Sequence, residues 1–393
     1  MNGMIAANGQ VASGFEAVQD AFEANFRSRD DVGAGFSAYV GGRKVVDLWG
    51  GKAKPGEPWA EDTLVLTFSV AKGLTAFVMQ LLADRGELDI EQPVAHYWPE
   101  FGKNGKEAVT VRQVLTHTAG VPLIPEYWSW ISLDNPEAYR DLEAITAHLE
   151  DVGTQWDPGT DFAYHSTTYG WILGEVVRRI TGKTLGQVLR DDVAAPLGLE
   201  TYIGTPPRVH DRVATLIPDP AYDSDEFYEH LSPDVPTGQT AFLGRERRFG
   251  QAVLHTYNNP LMWEAESPAA NSITDARSLA RLYALLANGG EVDGVRLVSE
   301  ESIREWSRIR VDQNDRYDGR DFRIALGYIK TSSWYAMGPN AETFGDPGMG
   351  GAVGWADPKA NLSFAFTPNR MVFSPGTTDP RVAALSDALY GSL

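Results

Sequence analysis

The chain has 393 residues, 43% of them hydrophobic and 22% charged, with no cysteine and a formal net charge of −19. That composition describes a soluble globular chain long enough for roughly two to three domains, and it excludes disulfides, thiolate metal sites and a cysteine nucleophile. A surface this acidic makes nucleic acid and anionic membranes poor partners.

No apolar run approaches the ~18 residues of a membrane span. The N-terminal MNGMIAANGQ lacks a basic region followed by an apolar stretch, so the expected location is the cytoplasm. Ser13-Gly14-Phe15-Glu16 fits a capping box, and Phe15, Val18, Phe22 and Phe26 then recur at helical spacing. Phe36 to Val40 and Lys44 to Trp49 read as strands joined by a tight Gly41-Gly42 turn. Leu74, Phe77, Val78, Leu81 and Leu82 make a helical stripe that Gly86 ends. Thr110 and Gln113 form a second capping box. Tyr169 to Ile180 and Leu279 to Leu286 are further amphipathic helices, ended by Gly182 and Gly289.

Toward the C-terminus, Ile324 to Ile329 reads as one strand. Leu362, Phe364 and Phe366 alternate as another after an Asp357-Pro358 turn, and Val382, Leu385 and Leu389 stripe a last helix. The predicted fold is therefore α/β (α+β). An antiparallel sheet built from residues 1–66 and 292–393 carries the terminal helices, and residues 67–291 form a mostly helical insertion. Tyr202 to Ala270 is rich in proline and acidic residues without clear periodicity. It reads either as an irregular surface excursion or as a lid over a substrate.

Several common site motifs are missing. No serine sits in G-x-S-x-G, and no H-E-x-x-H occurs. Gly182-Lys183-Thr184 follows a helix and lacks the first glycine of a phosphate loop, so it reads as a helix stop. The positive signal is Ser69-Val70-Ala71-Lys72, placed between the extended Leu64–Phe68 run and an apolar helix. A serine there is ordinarily an N-cap, but that leaves Lys72 unexplained. A cation in the first helical turn opposes the dipole at a cost of ~0.3–1 kcal/mol. At i, i+3 it also shares a face with Ser69. An amine in such a field loses its proton more readily and can take one from the hydroxyl.

Phe68-Ser69-Val70-Ala71-Lys72-Gly73 is followed by Val114-Leu115-Thr116-His117-Thr118-Ala119-Gly120, Trp156-Asp157-Pro158-Gly159 and Phe162-Ala163-Tyr164-His165-Ser166. Phe344-Gly345-Asp346-Pro347-Gly348-Met349-Gly350-Gly351 closes the series. In this order the motifs resemble the serine β-lactamase and penicillin-binding-protein-like superfamily, nearest to its family VIII carboxylesterases, over roughly Phe36 to Met371. The resemblance implies that Ser69 is acylated, that Lys72 is its base partner, and that Tyr164 shares the base role and protonates the leaving group. It implies an oxyanion hole from the backbone N–H groups of Ser69 and Met349. Asp346, Gly348, His165 and Trp334 complete the expected substrate-binding set, and no cofactor is called for.

Two departures bear on substrate. The family usually carries Lys or His at the position of Asp346, where a cation helps hold a substrate carboxylate. A carboxylate there, on a chain of charge −19, disfavours anionic substrates. Alternatively Asp346 holds Lys72 or Tyr164 in place. Ser166 also stands where β-lactamases have Asn. Both points favour a carboxylesterase acting on small neutral esters. The alternatives are a β-lactamase, D-peptidase or amidase using the same site, or a catalytically dead relative that binds ligands. Trp128, Trp130, Trp263, Trp334 and Trp355 are candidates for an apolar pocket, although such aromatics are more often core. The resemblance places His117 and His165 near the site, but the safer reading of both is a hydrogen-bonded structural histidine. Tyr164 is expected to ionise more easily beside Lys72. The oligomeric state is not legible.

Overall fold

Gly41 and Gly42 both take positive φ, 56° and 73°, the backbone a two-residue hairpin turn needs to match strand twist. They join β2 (Gly33–Val40) to β3 (Arg43–Lys54), and β1 (Asn8–Val11) pairs with the outer side of β3. The computed structural model describes residues 6–124, 135–230, 249–374 and 377–393. Six strands near the other end complete the sheet: β4 (Val311–Asn314), β5 (Asp321–Ile324), β6 (Ile329–Lys330), β7 (Phe344–Pro347), β8 (Val353–Asp357) and β9 (Leu362–Pro368). The order is β1-β3-β2-β9-β8-β7-β6-β5-β4, antiparallel throughout, with the short Glu57–Pro58 strand added beside β3. The sheet thus closes where β2 meets β9, Phe36 opposite Phe366.

Its two faces are covered by different helices. On one face α1 (Glu16–Ser28) buries Val18, Phe22 and Phe26, and the C-terminal helix (Pro380–Tyr390) buries Val382, Leu385 and Leu389 beside it. Trp355, stacked on Phe364 at 3.7 Å, belongs to this core. On the other face lies the helix Ala276–Ala287, packed on β2, β8 and β9. Beside it, packed on β7, sits α2 (Val70–Asp84), whose residues 70–82 are all buried. A helix apolar on every side belongs inside a protein. Gly86, at φ 74°, turns the chain away after it.

The helix α3 (Val111–Leu115) starts from the expected Thr110–Gln113 capping box, with both reciprocal bonds present. The helix α4 (Thr168–Thr181) ends at left-handed Gly182. These two and α2 pack together. Keeping the chain order, the helix Ala276–Ala287 is α5 and the C-terminal helix α6. Among the described residues no helix is long and apolar enough to cross a membrane.

Two local expectations are corrected. At α1 the Ser13 side chain makes no cap; the Glu16 carboxylate instead accepts the Gly14 N–H at 2.9 Å. The stretch Ile324 to Ile329 is a hairpin rather than a strand. Ile324 pairs with Ile329, and Gly327 at φ 80° makes the turn. Only glycine fits there, because a Cβ would stand 2.6 Å from Ala76 Cβ and from the Tyr169 hydroxyl. Within the Tyr202–Ala270 segment, residues 231–248 lie outside the described residues. Its first part is tied down: Ala214 N–H bonds Leu64 O at 2.7 Å, and Ile217 N–H bonds Asn369 O at 2.8 Å.

Candidate active site

Ser69 is presented by a strained turn. Val65–Leu66 pairs with Ile273–Thr274, and Thr67 continues the tie through its N–H and hydroxyl to Ser272. Phe68 then takes a left-handed φ of 49°, which costs a non-glycine residue about 1–2 kcal/mol. Its ring is held edge-on to Tyr257, 5.0 Å away. Ser69 follows in helical conformation at the start of α2 and makes no side-chain cap. Its partly exposed hydroxyl therefore does not play the ordinary N-cap role.

One turn on, Lys72 is 1% exposed. Its Nζ lies 3.5 Å from Ser69 Oγ, 2.8 Å from Ser166 O and 2.9 Å from Ala269 O. Gly170 makes the last contact possible, because a side chain there would collide with the Pro268–Ala269 backbone. Burial pulls the Lys72 pKa down to about 7, with Asp346 drawing it back up. As a neutral amine, Lys72 has two N–H donors and one lone pair. The two carbonyls take the donors, and the lone pair is left for Ser69. Hydrogen-bond distances in free sites are often long and tighten on substrate binding.

Tyr164 stands on the other side of this pair. Lys72 Nζ lies 4.6 Å from its ring centroid, and its hydroxyl hydrogen-bonds with Ser69. The ring is stacked on Phe322 and leans on His117, and the Tyr164 N–H donates to buried Asp315 at 2.7 Å. Loss of water around the hydroxyl pushes the Tyr164 pKa above its ordinary value, against the pull of Ser69. The expected easing of ionisation by lysine is overturned. Burial thus holds Tyr164 toward its neutral phenol form.

The glycine-rich run closes the site. Gly348 follows β7 and abuts the Thr67 carbonyl so closely that no Cβ fits. Its own carbonyl accepts the Gly351 N–H, and Met349 begins the short turn to Gly351, partly exposed. The opposite directions of N–H and C=O in a trans peptide aim the Met349 N–H away from the turn interior.

Two expected substrate contacts are enclosed instead. His165 is fully buried: Val121 N–H donates to its Nε2, and its Nδ1 faces Ala163 O at 2.7 Å. Both of its ring nitrogens are thus engaged by backbone groups, next to Tyr164. His117 accepts the His165 N–H, with its ring between Tyr164 and Tyr169. Burial drives both histidines toward the neutral form. Asp346 is 1% exposed, lies against Gly73, and has its pKa raised well above the carboxylate range by burial. It acts on the site from beneath.

Trp334 is half-buried, packs on Phe322 and lies beside the Arg320 guanidinium. Trp263 and Trp355 are core, and Trp128 and Trp130 lie outside the described residues. Three contributors had no signal in the sequence: strained Phe68, Asp315 beneath Tyr164, and Ala269 on Lys72. Among the described residues no cluster of His, Asp and Glu is arranged to hold a metal ion.

The family profile described as Beta-lactamase matches residues 21–388. The chain belongs to the beta-lactamase family. Within this family it is similar to the Esterase/beta-lactamase LipL of Mycobacterium tuberculosis, 33% identical over 93% of this chain and 83% of that protein. Among solved structures it is similar to a family VIII carboxylesterase, at 36% identity and TM-score 0.86 over 98% of this chain and all of the other. A penicillin-binding protein homologue from Caulobacter crescentus follows at 34% identity and TM-score 0.85, with the same coverage. This beta-lactamase-family chain thus has the antiparallel sheet and helices of the β-lactamase/transpeptidase fold.

Proposed function

We propose that this protein is a carboxylesterase that cleaves small neutral esters through an acyl-enzyme on Ser69. The observation that carries the reading is Lys72, a buried amine with both of its N–H donors occupied by carbonyls and its third direction toward Ser69. Lys72 takes the hydroxyl proton as Ser69 attacks the ester carbonyl. The N–H groups of Ser69 and Met349 receive the oxyanion; each such donor is worth ~2.7–4 kcal/mol. Neutral Tyr164 gives its proton to the departing alkoxide and takes the proton held by Lys72 in its place, which leaves Lys72 free to accept a proton from the water that then releases the acid.

Two further points support an ester over an amide or β-lactam. The position that the resemblance gives to a carboxylate-holding cation is occupied by Asp346, buried beneath the cleft. The chain's net charge is −19, which opposes anionic substrates. The names of two similar proteins, an esterase/beta-lactamase and a penicillin-binding protein homologue, keep β-lactam acylation as the second reading. The test is turnover of p-nitrophenyl acetate by wild type and Ser69→Ala, with intact mass after adding the ester and, separately, a β-lactam. Ser69→Ala is expected to lose at least roughly 10⁴-fold in kcat while staying folded. Retained activity overturns the assignment, and a β-lactam turned over as fast as the ester favours the second reading.

A further inference from the structure

Outside the catalytic cluster, the most heavily engaged buried charge is Arg381, in the first turn of α6. It is 0% exposed. Its Nε faces both oxygens of Asp379 at 3.1 and 3.2 Å, and Nη2 donates to Asp379 Oδ2 at 2.7 Å. Nη2 also donates to Gly350 O at 2.8 Å. Nη1 donates to Asp31 Oδ1 at 3.1 Å and to Arg370 O at 2.8 Å. One guanidinium thus joins the connection between α1 and β2, the segment after β9, the cap of α6 and the glycine turn after β7.

Stability is a poor explanation for such a cluster. Desolvating three charges costs several kcal/mol per ion, and apolar replacements of buried ion clusters are often neutral or better. What a planar fork with five fixed donors does well is hold several acceptors in one geometry. The acceptor that matters here is Gly350 O. Beyond Pro347 the chain has left the β7 ladder. Gly350 and Gly351 stand at φ 85° and 106°, which leaves this stretch intrinsically free to move. It is packed directly on the ion pair: a Cβ on Gly351 would collide with Asp379 Oδ2 and stand 2.5 Å from Arg381 Nη2. Other bonds on the turn are Gly348 N–H to Ala352 O at 2.6 Å, Gly351 N–H to Gly348 O at 3.3 Å, Val372 N–H to Gly350 O at 3.3 Å and the Gly350 backbone N–H to the Tyr222 hydroxyl. Among these contacts the guanidinium supplies the only charged donor.

We propose that Arg381, braced by Asp379 and Asp31, is a positioning residue for the oxyanion turn, fixing the Gly350 carbonyl and through it the aim of the Met349 N–H. The proposal rests on the acyl-enzyme reading above. It differs from a purely structural tie in what it predicts. A tie lowers thermal stability and leaves the chemistry of the folded protein alone. A positioning role lowers transition-state binding in protein that is still folded.

The test compares wild type, Arg381→Lys and Asp31→Asn, with Ser69→Ala as blank, well below each melting temperature. It measures p-nitrophenyl acetate hydrolysis and inhibition by a phenylboronic acid, whose serine adduct is tetrahedral and anionic. Arg381→Lys keeps the charge and loses the fork. It is expected to lower kcat about 10–100-fold, as small misplacements do, to leave KM within about twofold, and to weaken boronate inhibition by the same factor as kcat/KM. Asp31→Asn is expected to move both quantities together, about 3–10-fold. Unchanged kcat and boronate affinity in folded variants overturn the proposal, as does a change confined to KM. Should Arg381→Lys fail to fold, Asp31→Asn decides on the same criteria. Wild-type turnover that survives in the Ser69→Ala blank overturns the underlying reading instead, and is seen before any variant is compared.

Discussion

Asp346 and residue 73 compete for one volume. The carboxylate Oδ2 lies 2.6 Å from where a Cβ on Gly73 would stand, and the Tyr283 hydroxyl is closer still. The glycine after Lys72 is therefore what lets a carboxylate sit behind the amine. Gly73→Ala is expected to destabilise the protein by about 1–3 kcal/mol, the usual cost of overpacking a filled core. It should also lower kcat by shifting the first turn of α2. Calorimetry with parallel kinetics checks this, and an unaltered melting temperature contradicts the close fit.

The Lys72 pKa near 7 sets a pH profile. Burial lowers it, so the free amine needed to accept the Ser69 proton predominates above about 7 and the ammonium below. The acid limb of kcat/KM should then rise about tenfold per pH unit to a midpoint near 7. Because burial raises the Tyr164 pKa above its ordinary 10, its ionisation should not cut the rate between pH 8 and 9.5. A limb centred near 4 or 5 would point to a carboxylate base and away from Lys72.

Asp346 opposes the effect of burial on Lys72. In its ionised form, which burial disfavours and Lys72 favours, Asp346 keeps the proton on Lys72, so replacing the carboxylate should let Lys72 lose its proton more easily. Asp346→Asn is thus expected to move the acid limb to lower pH, with KM for a neutral ester nearly unchanged because the side chain is enclosed. An upward shift, or a KM change without a shift, would contradict this arrangement.

Tyr164→Phe keeps the ring on Phe322 and His117 and removes only the hydroxyl beside Ser69. The expected loss in kcat is about 10²–10³-fold, within the range of one general acid–base group. The melting temperature should change little. Activity near wild type would leave Lys72 and solvent to protonate the leaving group alone.

His165→Ala removes partners from a buried N–H and a buried carbonyl, those of Val121 and Ala163. Stranding such groups costs about 1–3 kcal/mol each. A fall in stability is expected, with KM for small esters within about threefold. A large KM effect at unaltered stability would return His165 to the substrate's side of the loop.

What the sequence makes legible is local. The Gly41-Gly42 turn, the Thr110–Gln113 box and the Ser69–Lys72 spacing each follow from a few adjacent residues and standard backbone geometry. The Ile324–Ile329 hairpin escaped because its turn residues, Ala325-Leu326-Gly327-Tyr328, are buried and apolar, so periodicity saw no break. The burial of Asp346 escaped because it depends on a gap at Gly73, far along the chain. The Arg381 cluster is less legible still: Asp31 and Arg381 are separated by 350 positions, and nothing near either marks the other.

The sheet closes between β2 and β9, and this has a consequence for synthesis. Roughly 300 residues must emerge from the ribosome after β2 before its neighbour exists, a delay of about 15–60 s at ~5–20 residues per second. Throughout that interval the nascent hairpin of β2 and β3 shows an unpaired edge of the kind that recruits other chains. Whatever shields that edge during translation, a chaperone or the arriving helices, governs how much polypeptide matures, independently of how well the finished enzyme works.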